Sequence, residues 1–501
     1  MDSRILILFM IIGSVLAVEY APTVQLKNGK VRGIVQEVVD VGNIYSYQGI
    51  RYGRAERFAK PKPAESWNDV YDATGYKFAC PQRWIEVSDK VVHNVTQLQT
   101  LVANEDCLFV NVWRPITASK EPRAVMAWIH GGSFTQGTIF SEYYDGRFIS
   151  SLGDVIVVTI NYRLDAFGFL YTGTEDAPGN GLFRRAIMQS GAPNSYLGSQ
   201  NAKTSLEAYK SLAIRLKCSN EDTKKVVQCL RTKSVKEVLT ATADSLVNAE
   251  NFIPVYGDEL LPVSPVEALK TGKFHHDIDL MYGTTKNEGS MFVVQLLNLP
   301  QLDPTKDGKD LTVDLTKKII SFMMSLFHDP NPDEVADYYT KNLNESDKDE
   351  LRRAVSYVFG DYHLVCPTMF YGEHFMKLAP QNNYYSYRLM KATKTPVMFC
   401  HGWMGVCHGE DVVFFFGLPL RLKGTAFTDD EAELALDFIH TWSNFAKTGH
   451  PGKLRNIEWK SARKDDNDEA TRFIEIGENP KMVSDYYKTT CDAFWKPRMF
   501  N

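Results

Sequence analysis

Hydrophobic positions along the chain fall into two patterns. One is a short continuous run rich in β-branched residues: "AVMAWI" at Ala124–Ile129, "VIVVTI" at Val155–Ile160, "IDLMYG" ending near Gly283, and "AIMQ" at Ala186–Gln189. Such runs suit buried strands, and the second in particular suits a parallel strand covered on both faces. The other pattern repeats every three or four positions, as in "TSLEAYKSLAIRLKC" and "DDEAELALDFIHTWSNFAK", and predicts amphipathic helices. Alternation of the two predicts an α/β fold in which loops along one edge of the sheet carry the chemistry.

A third apolar run, in "MDSRILILFMIIGSVLA", stands behind a single Arg and ends in Val15-x-Ala17, the layout of a secretory signal peptide cleaved after Ala17. It is shorter than the roughly 20 apolar residues of a membrane span, and no other stretch reaches that length. No repeat, low-complexity tract or Pro/Ser-rich linker divides the rest, so the expectation is a signal peptide at 1–17 and one secreted, extracellular domain at 18–501. Charge narrows the partners. A net charge of −5 gives none of the basic excess of a nucleic-acid binder. Eight cysteines in an exported chain suit disulfides better than metal, although eight allow 105 complete pairings. Two sequons, Asn94-Val-Thr and Asn344-Glu-Ser, read as glycosylation acceptors.

Chemistry first shows in His130-Gly131-Gly132-Ser133-Phe134, directly after a predicted strand. Glycines there let the backbone turn sharply and converge N–H groups on a developing oxyanion, although a Gly-Gly pair alone equally marks an ordinary tight turn. Glu288 in "TKNEGS" and His408 in "GVCHGEDVV" carry little weight singly. Together with "YQGIRYGRAERFAKPKP", "EDCLFVNVWRP", "TINYRLDAFGFL", "GLFRRAIMQSGAPN", "HGEDVVFFFGLPL" and "WSNFAKTGHP", they run in a fixed order from about Tyr47 to Pro451. In these segments the chain resembles the type-B carboxylesterases, the α/β-hydrolase family that includes the cholinesterases.

That resemblance implies an α/β-hydrolase fold with a mostly parallel central sheet flanked by helices. It implies bridges joining Cys80 to Cys107, Cys218 to Cys229 and Cys366 to Cys491. Cys400 and Cys407 are left over; their spacing is too wide for an ordinary structural zinc site, which leaves a free pair or a local bridge. The implied substrate is a small-molecule carboxylic ester, with no cofactor and no metal. The mechanism implied is a serine triad in chain order Ser, Glu, His, with Glu288 as the acid, His408 as the base, and the backbone N–H groups of Gly132 and Ser133 as oxyanion donors.

One part is missing. No serine in the chain has Gly at both −2 and +2, so the G-x-S-x-G nucleophile turn is absent. By resemblance it belongs between "APGN" and "GLFRRAIMQSG", which are fused at Asn180 and Gly181, with roughly 50 residues lost, including the central strand that carries the nucleophile. Ser190 is expected in a supporting place only, because it lacks the flanking glycines. The choline-binding Trp of the family falls on Gln97, and Trp84 lies too near Cys80 to replace it, so no cation–π site for a quaternary ammonium is expected. The reading is a secreted carboxylic ester hydrolase by descent, inactive as written, with a shortened isoform or a faulty gene reading as the origin of the fusion. The alternative is a non-catalytic cholinesterase-like binding or adhesion protein, against which stands the lack of the membrane span such proteins generally carry.

Overall fold

Ten strands form the two main sheets of the computed structural model, which describes residues 18–83, 102–172, 183–243, 252–258, 261–396, 400–463, 471–484 and 487–500. The leader at 1–17, the sequon at Asn94, Trp84 and Gln97, and the Asn180–Gly181 junction lie outside these residues. The strands are β1 (Ile34–Val38), β2 (Gly42–Arg51), β3 (Phe109–Pro115), β4 (Val125–Ile129), β5 (Ile156–Ile160), β6 (Arg185–Gln189), β7 (Asp279–Thr285), β8 (Tyr384–Leu389), β9 (Arg472–Ile476) and β10 (Lys481–Ser484). The first sheet has the order β1-β2-β3-β5-β4 and the second β6-β7-β8-β9-β10. Parallel pairing joins β5 to β4 and runs from β6 through β9; the other pairs are antiparallel.

A single hydrophobic core holds residues of both sheets, with Trp113 and Val157 from the first and Met281, Tyr387 and Ile474 from the second. Two helices close over it, α4 (Glu410–Phe415) and α5 (Asp429–Thr448), while α1 (Arg147–Gly153) packs on α5 beneath the first sheet. The sequence accounts for α5 at both ends. Thr428 and Glu431 form a capping box, the Thr428 hydroxyl accepting from the Glu431 amide at 3.3 Å and the Glu431 carboxylate accepting from the Thr428 amide at 2.7 Å. Gly449 then ends the helix in the left-handed conformation at φ 82°. Between them Leu434, Phe438, Trp442 and Phe445 face the core. Trp442 lies against Phe438, Tyr387 and Trp459 with ring centroids 4.4, 5.1 and 5.6 Å away.

Strand β4 departs from the expectation of a buried run. Met126 and Trp128 face the core, but Val125 and Ile129 are 59% and 68% exposed. Its neighbour β5 was expected to be covered on both faces; Val157 and Thr159 are buried, whereas Ile156, Val158 and Ile160 are only half-buried. The reason is positional: among the described residues, β4 is the last strand of its sheet, and nothing covers the outer face it shares with β5.

The four disulfides are Cys80–Cys107, Cys218–Cys229, Cys366–Cys491 and Cys400–Cys407. The third joins chain segments 125 residues apart, and the fourth closes a loop next to His408.

Since α5 holds both sheets to one core, truncating its central indole is expected to be costly. Trp442→Ala should lower unfolding free energy by about 3–5 kcal/mol, out of roughly 5–15 kcal/mol for an ordinary domain, read as a lowered denaturation midpoint in urea.

Candidate active site

Glu288 stands just past the end of β7, in a turn whose geometry its own carboxylate fixes. Oε1 accepts from the Thr285 amide at 2.6 Å and from the Ser190 hydroxyl at 2.5 Å, while Oε2 lies 2.7 Å from His408 Nδ1. The carboxylate is fully buried and the His408 side chain keeps 26% exposure. With Nδ1–H given to Glu288, the imidazole is left with Nε2 as the nitrogen that can accept a proton.

The backbone around this pair is tightly constrained. Gly289 starts helix α2 (Ser290–Leu297) and touches α3 (Lys348–Gly360), where a Cβ on residue 289 would come within 1.9 Å of the Ser356 carbonyl oxygen. On the other side Asn287 ties the His408 loop down: its amide donates to the Val406 carbonyl at 2.9 Å, and its Oδ1 accepts from the Val406 amide at 3.0 Å. The Cys400–Cys407 bridge closes that loop one residue before His408, and Phe292 packs against the imidazole at 5.0 Å.

Ser190 follows β6 at φ 57°, its amide donating to the Gly283 carbonyl at 2.9 Å. Its hydroxyl points at Glu288, which makes it a support of the acid. Sequence reasoning missed a further layer, consisting of Asp411, Tyr387 and Gln189. Asp411 Oδ2 accepts from the Tyr387 hydroxyl at 2.6 Å and from Gln189 Nε2 at 3.0 Å. The available signal was a Glu-Asp pair, Glu410-Asp411, opening the apolar run "VVFFF" on a helix that has to be buried.

Burial opposes a charged His408, but the Glu288 carboxylate, its hydrogen bond and the nearby Asp411 outweigh it and raise the imidazole above its ordinary range. Burial likewise raises Asp411, against the hydrogen bonds of Gln189 and Tyr387, and pushes Glu410 up to about 8.

The second sequence-predicted feature, the turn after β4, has three consecutive residues at positive φ: Gly132 at 116°, Ser133 at 49° and Phe134 at 62°. Gly132 is required there, because a Cβ would fall 2.0 Å from the Gln136 carbonyl oxygen. The Gly132 carbonyl accepts from the Thr135 and Gln136 amides at 3.0 and 3.1 Å, which curls the loop. Among the described residues, the amides of Gly132 and Ser133 donate to no protein acceptor. Buried His130 anchors the turn's start, stacked on Tyr162 at 4.5 Å and lowered to about 4 by burial.

The structure therefore brings Glu288, His408 and Ser190 together. It sets the Gly132–Ser133 turn at the end of the other sheet, and no hydrogen bond or ring contact among the described residues joins it directly to His408. Their common support is the α4 end, where Trp128 of β4 packs on Phe415 and Phe416 at 6.2 and 5.1 Å. The sequon residue Asn344 is exposed at the surface.

Known proteins resemble the chain over most of its length. The carboxylesterase family model matches residues 20–181 and 180–495, two segments that meet at residues 180–181. Mouse (Mus musculus) cholinesterase is 30% identical over 489 positions, covering 85% of this chain and 78% of the relative. Acetylcholinesterase of Bungarus fasciatus is 27% identical over 544 positions, covering 95% and 87%. Acetylcholinesterase-1 of Trittame loki is 28% identical over 550 positions, covering 95% and 94%. Among the described residues, no helix is long and apolar enough to cross a membrane.

The sign of the His408 shift fixes a pH test. A raised folded-state value means that the pair's contribution to stability is fully present below about pH 6.5, the unfolded value, and is lost as pH rises through the folded value. Glu288→Gln keeps the burial and removes the charge, so the His408 pKa should fall, as followed by the imidazole proton shifts in an NMR titration. An unchanged value would show that Glu288 does not set it.

Proposed function

The chain belongs to the carboxylesterase family, and from that premise we propose that it is a secreted carboxylic ester hydrolase by descent, inactive as written for want of its nucleophile. The observation that carries this reading is the buried Glu288 carboxylate on His408 Nδ1 at 2.7 Å, which leaves Nε2 free for proton transfer. In this reading Glu288 fixes the tautomer and steadies the imidazolium, His408 is the general base, and the Gly132 and Ser133 amides are oxyanion donors. Ser190 and Asp411 hold the acid and the base loop in place.

Several findings support the loss of the nucleophile. The sequence has no G-x-S-x-G. The family model breaks in two at residues 180–181. Alignments of 544 and 550 positions exceed the 501 residues of the chain by 43 and 49, so both relatives carry residues that this chain lacks. Among the described residues, strands β4 and β6 are each the end of a separate sheet, which agrees with the loss of a strand between them. Export rests on the leader, read as a signal peptide at 1–17 ahead of the domain at 18–501, and the four disulfides and two sequons agree with it. For the chain as written, the missing nucleophile also favours a binding role over a catalytic one.

The test is a p-nitrophenyl ester assay on the purified chain. Losing a triad serine costs on the order of a millionfold in kcat, so turnover should not rise above background and His408→Ala should change nothing. Turnover that His408→Ala abolishes, or a serine labelled by an organophosphate, would overturn the inactivity. Sequencing the message across the Asn180 and Gly181 codons tests the origin: a longer product encoding G-x-S-x-G means that an active esterase is also made.

A further inference from the structure

We propose, resting on the reading that the chain is exported, that the surface around the Cys218–Cys229 bridge binds a sulfated polysaccharide. Residues 203–237 hold nine Lys and Arg against four Asp and Glu, an excess of +5 in a chain whose net charge is −5. They lie on the helices Ala202–Arg215, Thr223–Thr232 and Val235–Ala243 and in the links between them. Such a patch on an acidic protein raises the local concentration of anions and steers them to one face.

The cations are laid out along the surface. On the first helix Lys203, Glu207, Lys210 and Ile214 are all exposed, at the spacing of a single outward stripe, and exposed Lys217 follows just past the helix end. A lysine recurs along this line at intervals of about 10 Å. The Cys218–Cys229 bridge fastens the second helix to its end, with the Lys217 carbonyl 4.0 Å from Cys229 Sγ. Lys225 stands one turn before Cys229 and so shares its face of the second helix, with exposed Lys224 beside it.

The fold makes no use of these ammonium groups. Lys317, Lys318 and Lys391 are paired with carboxylates, but among the described residues Lys203, Lys210, Lys217, Lys224 and Lys225 form no ion pair. Two of the four acids serve helix starts instead: Asp222 accepts from the Lys224 amide at 2.9 Å, and Glu237 from the Ser234 amide at 2.8 Å. Lys217 is also strained. It sits at φ 56° in the left-handed position that ends a helix, where glycine would be at ease, and the Cys218 amide closes that end on the Ala213 carbonyl at 2.8 Å. A long cation where glycine would cost the fold less points to a use outside the fold.

The surroundings select the anion. Tyr209 is the one aromatic residue in 203–237 and is buried, so nucleic-acid bases have no stacking platform. Ile214 is the one large apolar side chain exposed there, too little to anchor the patch in a membrane. A polymer that offers repeated sulfates, and needs neither stacking nor insertion, fits what is left.

Heparin, titrated into the purified full chain at increasing NaCl, is the probe. The expected result is micromolar binding at physiological salt that weakens as salt rises, by counterion release. Lys217→Glu with Lys225→Glu should weaken it at least about tenfold and lower the salt slope by about two, whereas Lys317→Glu with Lys318→Glu should change neither. All four residues are exposed, so far-UV circular dichroism should not move; if it does for the first pair, Lys203→Glu with Lys210→Glu serves the same test. Lys217→Gly separates binding from folding: it should weaken heparin binding and raise the denaturation midpoint in urea. No binding at physiological salt, equal loss in both double variants, a lowered midpoint in Lys217→Gly, or equal affinity for phosphatidylserine vesicles or single-stranded DNA would each overturn the proposal. Failure of export would show separately, as retention of the chain inside expressing cells.

Discussion

A buried carboxylate organises the site and much of what surrounds it. Taking Glu288 out of water costs several kcal/mol unless good donors meet both oxygens. The three donors that meet them come from separate parts of the chain: the Thr285 amide at the end of β7, the Ser190 hydroxyl at the end of β6, and His408 in the loop before α4. The charge can be buried only where these three segments converge. The same convergence fixes β6 against β7 and sets the approach of α4 to the second sheet. Asp411 repeats the arrangement one layer further in, receiving Tyr387 from β8 and Gln189 from β6.

Among the described residues, the two sheets share the core but not a hydrogen-bonded ladder. Aromatic packing joins them instead, from Trp128 of β4 onto Phe415 and Phe416 and from Tyr387 of β8 onto Trp442. This packing covers one face only. On the other, Val125 and Ile129 face solvent beside half-buried Ile156, Val158 and Ile160. A β-branched run of that kind ordinarily lies inside a protein, so the first sheet has the sequence of a central layer and the exposure of an edge.

Much of this was legible in the chain. The four apolar runs appear as β4, β5, β6 and β7 within a residue or two of their expected bounds, because period and β-branching report strands directly. The periodic run from Asp429 to Lys447 appears as α5, whose caps Thr428 and Gly449 the sequence reading did not single out. Glu288 and His408 were legible only as parts of an ordered set of motifs, since nothing near either residue announces a contact spanning 120 positions. Asp411 and Tyr387 escaped for the same reason, with partners supplied by tertiary packing alone. The exposure of β4 was misread because hydrophobicity records what a segment is suited to contact, not whether anything is there to be contacted.

The parts of the site differ as signs of catalytic descent. The Glu288–His408 pair has a structural reason to persist, because without His408 a fully buried carboxylate would be short of a donor, and breaking a buried ion pair typically costs about 3–5 kcal/mol. The pair is thus held by the fold as well as by the chemistry it can perform. The turn at Gly132 and Ser133 is tied to the rest of the chain at Phe134, whose carbonyl accepts from the Asp165 amide at 2.7 Å and whose ring meets Phe169 at 5.2 Å. Its amides serve no acceptor among the described residues, and it holds Ser133 and Phe134 at positive φ, where a residue with a Cβ is strained by about 1–2 kcal/mol. Strain kept at a loop whose donors meet no acceptor among the described residues fits a function better than a fold. The turn therefore adds an independent argument to that of the acid–base pair, which supplies the proton-accepting nitrogen.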